Sequence, residues 1–332
     1  KGEIEPRKLF KKIDVTEAIK STYSKTIEAN MAEMVKTIAN DTYPEIGIGA
    51  HCCDPYECPL IEKCWSFLPE RNVFLLYKNK KLPMALIQED ILELAQIPES
   101  LKLNEKNKIQ VDCEKTGKPH IDQKKIKEFL DTVQYPAYYM DFETFASAVP
   151  LFDDSRPYQQ IPFQFSVHVV KKKGASPEHY SYLADGRHDP RPEFMAKLRE
   201  VIGTKGSVIA YNAAFEIGKL KECALLLPKF KKWVESIEDR IVDLLKPFRA
   251  FAYYHPNQNG SCSIKKVLPV LTGKSYDNME IGDGGTASAE YCRITFTEDN
   301  QDKTKVRNLL EEYCGLDTMG MVDIVNKLYI LK

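Results

Sequence analysis

The chain changes rhythm near residue 135. Before it, apolar positions fall at helical spacing through 14–40, where Ile19, Tyr23, Ile27, Met31, Val35 and Ile38 form a stripe. Asp14 and Glu17 stand as a capping box at its start. A loop-like segment dense in cysteine follows (44–65). In the next stretch, VFLLY (73–77) predicts a short strand and EDILELAQI (89–97) a helix. The Lys-rich polar run 102–125 reads as a connector. After 135, strand-like runs occupy 137–144, 163–170 and 178–183. A helix at 191–203, a strand at 206–211 and a helix at 213–227 come next. Three strands and then helix–strand–helix predict an α/β fold, a mixed sheet flanked by helices. The stretch 303–331 is helical by period, with Gly315 and Gly320 placed to break it in two.

With 332 residues, 43% of them hydrophobic and 29% charged, the chain has the make-up of a globular protein large enough for two domains. No apolar run reaches the roughly 18–20 residues of a membrane span, and no signal-peptide pattern opens the chain. Its start, KGEIEPRKLF, reads as the continuation of an upstream segment. The net charge of −1 lacks the global basic signature of a nucleic-acid binder. The basic runs at 171–173, 229–232 and 264–266 read as solvated faces, of which one or two could serve a nuclease as phosphate contacts. Of the nine cysteines five are scattered singly, which is not a disulfide framework and points to a reducing cytoplasm.

The run YYMDFETF (138–145) raises the chemical question. On a strand, Asp141 and Glu143 face the same side, and like charges so placed repel unless a cation lies between them. Two further acids fall at comparable places. Glu216 lies in the first turn of the helix after the fourth strand, and Asp317 follows Tyr313 by four residues on one face of the C-terminal helix. In an open α/β sheet such strand ends and helix starts converge on one crevice. Taken singly, each acid also fits an exposed edge, a helix-dipole partner or a solvated helix surface.

YMDFETF resembles the first motif of the DEDD-type 3′→5′ exonucleases, the DnaQ-like branch of the RNase H-like superfamily. VIAYNAAFEIGKL resembles their second motif, and YCGLDTMGMVDI the third motif of the Tyr subtype. The resemblance spans 135–332. It departs from the family at Glu216, where many members carry Asp, and over 251–285, which reads as an insertion at the rim of the site. It implies two Mg²⁺ or Mn²⁺ ions held by Asp141, Glu143, Glu216 and Asp317, with Tyr313 orienting the attacking water. Hard cations favour such an all-carboxylate set. Asp243 matches a position often acidic in these folds, and reads equally well as a helix-surface residue. Asn212 either fixes the turn before Glu216 or touches substrate.

HCCDPYECPLIEKCW gathers Cys52, Cys53, Cys58 and Cys64 with His51 inside 14 residues. Any four of these groups suit zinc, although adjacent Cys52 and Cys53 do not easily share one ion. The stretch resembles the cysteine cluster of RecB-type nucleases with a [4Fe–4S] centre, whose remaining cysteine lies far upstream. The whole order resembles an uncharacterised bacterial family in which a RecB-like region precedes a DEDD domain. Cys52, Cys58 and Cys64, with Cys53 or His51, are therefore candidates for a partial cluster, for zinc, or for nothing. The organisation expected is the tail of an upstream nuclease module over 1–70, a connector over 71–134 and an RNase H-like exonuclease domain over 135–332. The function expected is 3′→5′ hydrolysis of single-stranded DNA or RNA. The alternative is a non-catalytic nucleic-acid-binding or metal-cluster scaffold module of a larger nuclease.

Overall fold

The computed structural model describes residues 5–22, 26–42, 46–54 and 56–332. It divides into two compact units, 1–70 and 71–332. In the first unit the 14–40 segment forms two helices, α1 (Thr16–Thr22) and α2 (Ile27–Ile38). Tyr23 lies outside the described residues. The Asp14 carboxylate accepts the Thr16 N–H at 2.9 Å. Ile19, Met31, Val35 and Ile38 are exposed, so the stripe that the sequence marks as a core face is bare.

The second unit begins with residues the sequence reads as a connector, and they are folded. Residues 73–75 make a 3₁₀ turn instead of a strand; among the described residues the pairing here is limited to an isolated antiparallel bridge between Asn72 and Glu93. Helix α3 (Leu82–Gln88) starts at a proline in its first turn. The 89–97 segment holds only a 3₁₀ turn at Leu94–Gln96, since Asp90, at φ 58°, breaks the helix. Val73, Leu76, Leu86, Leu94, Ile97 and Val111 close a small core of their own. The polar run is helix α4 (Glu105–Thr116), capped by the Asn104 side chain and ended by Gly117 in the left-handed region. Its buried polar residues explain its low hydrophobicity. Gln110 accepts the Tyr77 N–H at 2.9 Å and donates to the Leu75 carbonyl at 2.6 Å, while Asn107 donates to the Tyr77 carbonyl at 3.0 Å. Helix α5 (Gln123–Leu130) leads into the sheet.

Besides a small antiparallel pair formed by His120–Ile121 and Tyr253–Tyr254, the main sheet has the strands β1 (Ala137–Phe145), β2 (Ile161–Val170), β3 (Glu178–Leu183), β4 (Val208–Ala210) and β5 (Ile241–Asp243). Their order in the sheet is β3-β2-β1-β4-β5. The first three are antiparallel to one another, and β4 and β5 run parallel to β1. This is the mixed α/β sheet that the alternation predicts. Both faces of β1 and β2 are covered, which accounts for their nearly continuous burial.

Strand alternation sorts the side chains between two helical layers. On one face, Phe142 and Phe165 set their rings edge-on against Phe194 of α6 (Arg191–Val201), at 5.0 and 5.5 Å. Helices α7 (Ala214–Leu226) and α8 (Lys231–Glu238) belong to this layer. The opposite face carries Asp141, Glu143, Gln164 and Ser166. It meets α9 (Ile264–Thr272), α10 (Gly284–Phe296) and α11 (Lys303–Leu331). Helix α11 is continuous for 29 residues through Gly315 and Gly320. Packing accounts for its survival at Gly320, where a Cβ would meet Leu268 of α9 at 3.0 Å. No described helix is long and apolar enough to cross a membrane.

Candidate metal centre

Asp141 and Glu143 stand on the central strand opposite Ser166 and Gln164, just before the register shifts between Glu143 and Thr144. Both therefore point towards α11, which is fastened to β2 at two levels. Gln164 Nε2 donates to the Leu310 carbonyl at 2.8 Å. The Thr318 hydroxyl lies 2.7 Å from Ser166 Oγ and 2.8 Å from His168 Nδ1, with His179 Nε2 2.9 Å from the same serine. Burial holds His168 at a pKa of about 4, so this network is neutral at physiological pH. It fixes the helical turn on which Tyr313 and Asp317 face β1.

Glu216 arrives from the parallel half of the sheet. After β4, Asn212 takes φ 76° and turns the chain into α7, whose first turn carries Glu216. Asp243, at the end of β5, accepts the backbone N–H groups of Asn212 and Leu245, both at 3.0 Å, which braces that turn. Asp243 is thus on a strand, holds backbone, and is absent from the pocket wall.

These elements enclose a cavity of about 220 Å³ lined by Asp141, Glu143, Asn212, Glu216, Tyr313 and Asp317, with Tyr211, Phe215, Lys265 and others between them. All four predicted carboxylates and the predicted tyrosine are brought together. Among the described residues, Asp141, Glu143 and Cys314 form a group able to hold a metal ion, their ligand atoms within 4.8 Å of one another. Cys314 Sγ lies 4.0 Å from Asp141 Oδ2, and burial beside the acids pushes the thiol far above its usual range.

The electrostatics record the crowding. Burial, then Asp317, Glu143 and Glu216, push Asp141 far above the carboxylate range. Burial chiefly pushes Glu143 and Glu216 each up to about 8, and Asp317 to about 6. Asp317 rises least because the Tyr276 hydroxyl donates to its Oδ1 at 2.6 Å and Lys265 lies nearby. Glu216 Oε2 is buried and has no hydrogen-bond partner. Buried carboxylates that raise one another's pKa, with an orphaned oxygen on Glu216 beside them, make a setting in which a cation would relieve the charge.

Tyr276 and Lys265 are site residues that sequence reasoning missed. The Lys265 ammonium is 5.5 Å from the Tyr313 ring and 5.7 Å from that of Tyr276, and donates to the Gly282 carbonyl. Both lie in the 251–285 stretch read as a rim insertion, which contributes directly to the site. The signal available was the 264–266 basic run, where Lys265 is half-buried and Lys266 exposed.

The cysteines behave differently. Cys52, Cys53, Cys58 and Cys64 are free thiols, Cys52 turned inward and its neighbour Cys53 outward. The Cys58 N–H donates to the Cys52 carbonyl at 2.8 Å, and Cys64 ends a short helix. Among the described residues these thiols and His51 do not converge on one point as a metal set.

The second unit is thus an α/β domain whose mixed sheet carries a buried carboxylate pocket. Residues 138–263 match a family described as a domain of unknown function (DUF2779). The chain is 27% identical over 223 residues to uncharacterized protein MG366 of Mycoplasma genitalium, covering 60% of this chain and 33% of that protein. It is 26% identical over 220 residues to the MG366 homolog of Mycoplasma pneumoniae, with the same coverage. With uncharacterized protein UU173 of Ureaplasma parvum it shares 23% over 216 residues, 56% of this chain and 30% of that protein. The matched stretches make up about a third of the length of these curated relatives. No solved structure matches the chain.

Proposed function

We propose that residues 135–332 form a divalent-metal-dependent nuclease, a 3′→5′ exonuclease acting on single-stranded DNA or RNA. One observation carries the reading: Asp141, Glu143, Glu216 and Asp317, drawn from β1, α7 and α11, meet in one cavity beside Tyr313. Acids so placed raise one another's pKa and gain only if cations join them. Their oxygen-only character suits two Mg²⁺ or Mn²⁺.

Asp141, on the central strand, would be shared between the two ions. Glu143 and Asp317 would complete one position, and the orphaned Glu216 Oε2 would serve the other. When bound, the ions supply activation of water and charge neutralisation at the leaving oxygen. Tyr313, its pKa raised by burial and Asp317, stays protonated and can orient a water by hydrogen bonding. Lys265 offers a positive charge to a phosphodiester entering beside Glu143. The cavity is small and partly closed by α9, which suits a strand end better than a duplex.

The cysteine-rich segment of the first unit is proposed to complete a metal centre, [4Fe–4S] or zinc, only with a ligand from an upstream nuclease domain. The reading is tested with end-labelled single-stranded DNA and RNA in Mn²⁺, Mg²⁺ or EDTA, beside Asp141→Asn. Stepwise 3′ shortening, abolished by EDTA and by the substitution, is the expected result. Intact polymer in the presence of folded, Mn²⁺-loaded protein would leave a binding module in place of an enzyme.

A further inference from the structure

Beyond the cavity, one wall carries three positive charges with no ion-pair partner among the described residues. Arg249, exposed on the four-residue helix after β5, donates from Nη2 to Asn212 Oδ1 at 3.4 Å, and Asn212 lines the cavity. Tyr211, also in the cavity wall, donates its hydroxyl to the Cys262 carbonyl at 2.6 Å. On the far side of Cys262 stands Tyr77, its ring 5.1 Å from that of Phe251. Over the Tyr77 ring lie two ammonium groups, Lys78 at 5.5 Å and Lys106 at 5.6 Å.

Lys106, Arg249 and Lys78 are the charges that act on the Cys262 thiol, each drawing its pKa down against the larger upward effect of burial. None of the three has a carboxylate within ion-pair distance among the described residues, although acidic and basic residues are equally abundant in the chain. Some lysines of the domain are paired, Lys171 with Glu178, Lys221 with Glu238 and Lys274 with Asp323; what sets Lys78, Lys106 and Arg249 apart is that they gather around Tyr77 and Cys262 next to the cavity wall. Lys78 is held at φ 51°, a conformation that a non-glycine residue adopts at some expense. Three cations left without counter-charge, beginning one hydrogen bond from the cavity, call for an anion that is large and repeated.

We infer that Arg249, Lys78 and Lys106 form a track for the phosphodiester backbone of a single nucleic-acid strand whose end enters the carboxylate cavity. The inference rests on the nuclease reading for its direction, and adds the route by which substrate is held. The cations bind phosphate and read no base, so the track accepts strands of any sequence. It is assembled from α4, the 77–78 turn and the helix after β5, so the stretch read as a connector is part of the substrate surface.

The test is equilibrium binding of fluorescein-labelled oligothymidylate and oligouridylate by the full chain, with Ca²⁺ replacing Mg²⁺ so that cleavage does not intervene. The triple variant Lys78→Ala, Lys106→Ala, Arg249→Ala should bind at least about ten-fold more weakly than wild type. Its log affinity against log salt should flatten by about 0.7 for each phosphate contact removed, about two in all. Charge-retaining Lys78→Arg and Lys106→Arg, with Arg249 intact, should keep both, and Lys327→Ala, an exposed lysine of α11, should change neither. Melting temperatures of all variants are measured alongside, since the three cations hold no ion pair whose loss would unfold the domain. Wild-type affinity and slope in the folded triple variant would overturn the track, as would wild type that binds neither oligonucleotide. Salt-sensitive binding through these cations in a protein that cleaves nothing would uphold the track and reject the nuclease.

Discussion

The Tyr276 hydroxyl holds Oδ1 of Asp317 with a 2.6 Å hydrogen bond, at the wall of the cavity that Asp141 and Glu143 also line. Hydrogen bonds to charged groups contribute about 1.5–3 kcal/mol. Tyr276→Phe should therefore raise the Asp317 pKa above about 6 and weaken Mn²⁺ binding roughly ten-fold. Isothermal titration with Mn²⁺ near neutral pH reads the effect, and an unchanged affinity would remove Tyr276 from the site.

Metal-free protein should lose stability as pH rises. Glu143 and Glu216 titrate near 8 and Asp317 near 6 when folded, all above their unfolded values, so the folded state binds more protons between about pH 4 and 8. Stability then falls across that window as the unfolded chain ionises first. In EDTA the melting temperature should drop from pH 5 towards pH 8, and Mn²⁺ should restore it by a margin that widens with pH. Asp141→Asn, which replaces a buried carboxyl pushed far above its usual range, should melt higher than wild type in EDTA at pH 8 and respond little to Mn²⁺. A flat EDTA profile in calorimetry would contradict the burial of these acids.

Asp243→Ala should leave the carboxylates in place and loosen the turn that presents Asn212. The N–H of Leu245, a residue only 6% exposed, would lose its acceptor, at about 1–3 kcal/mol. Thermal melting should show that loss, and Asp243→Asn, which keeps the accepting oxygen, should recover most of it. Equal damage from both substitutions would mean that the charge itself matters.

Gly206 precedes β4 at φ 83°, and a Cβ there would lie 1.8 Å from the Pro136 carbonyl oxygen. That contact is with backbone, so the neighbour cannot swing aside. Gly206→Ala should prise β4 from β1, destabilise the domain by more than about 2 kcal/mol and give poorly folded protein on circular dichroism. Normal melting would show that the strand ends can separate without harm.

The elements governed by local alternation were readable from the chain. β1, β2 and β3 lie within a few residues of the predicted runs because their pleats carry the pattern, and Asp141 and Glu143 share a face for the same reason. What depended on partners was not readable. VFLLY has strand-forming residues and pairs with no strand among the described residues, and 102–125 looks like linker because Asn107 and Gln110 are buried as hydrogen-bonding groups. The exposed stripe of α1 and α2 has an apolar period and no covering face among the described residues of the first unit. Tyr276 sits 41 residues from the aspartate it holds, in a stretch with no period of its own. The helix through Gly315 and Gly320 stays whole because packing rewards what propensity opposes.

The cavity draws its acids from residues 141, 143, 216 and 317, and α11 supplies both Tyr313 and Asp317. A chain emerging from the ribosome would complete β1, with its two carboxylates, well before the helix that closes over them exists. Until α11 has been made and laid against β2, Asp141 and Glu143 lack the helix that covers them. Order of synthesis thus brings the four-acid pocket into being as a whole, and only once this helix is in place.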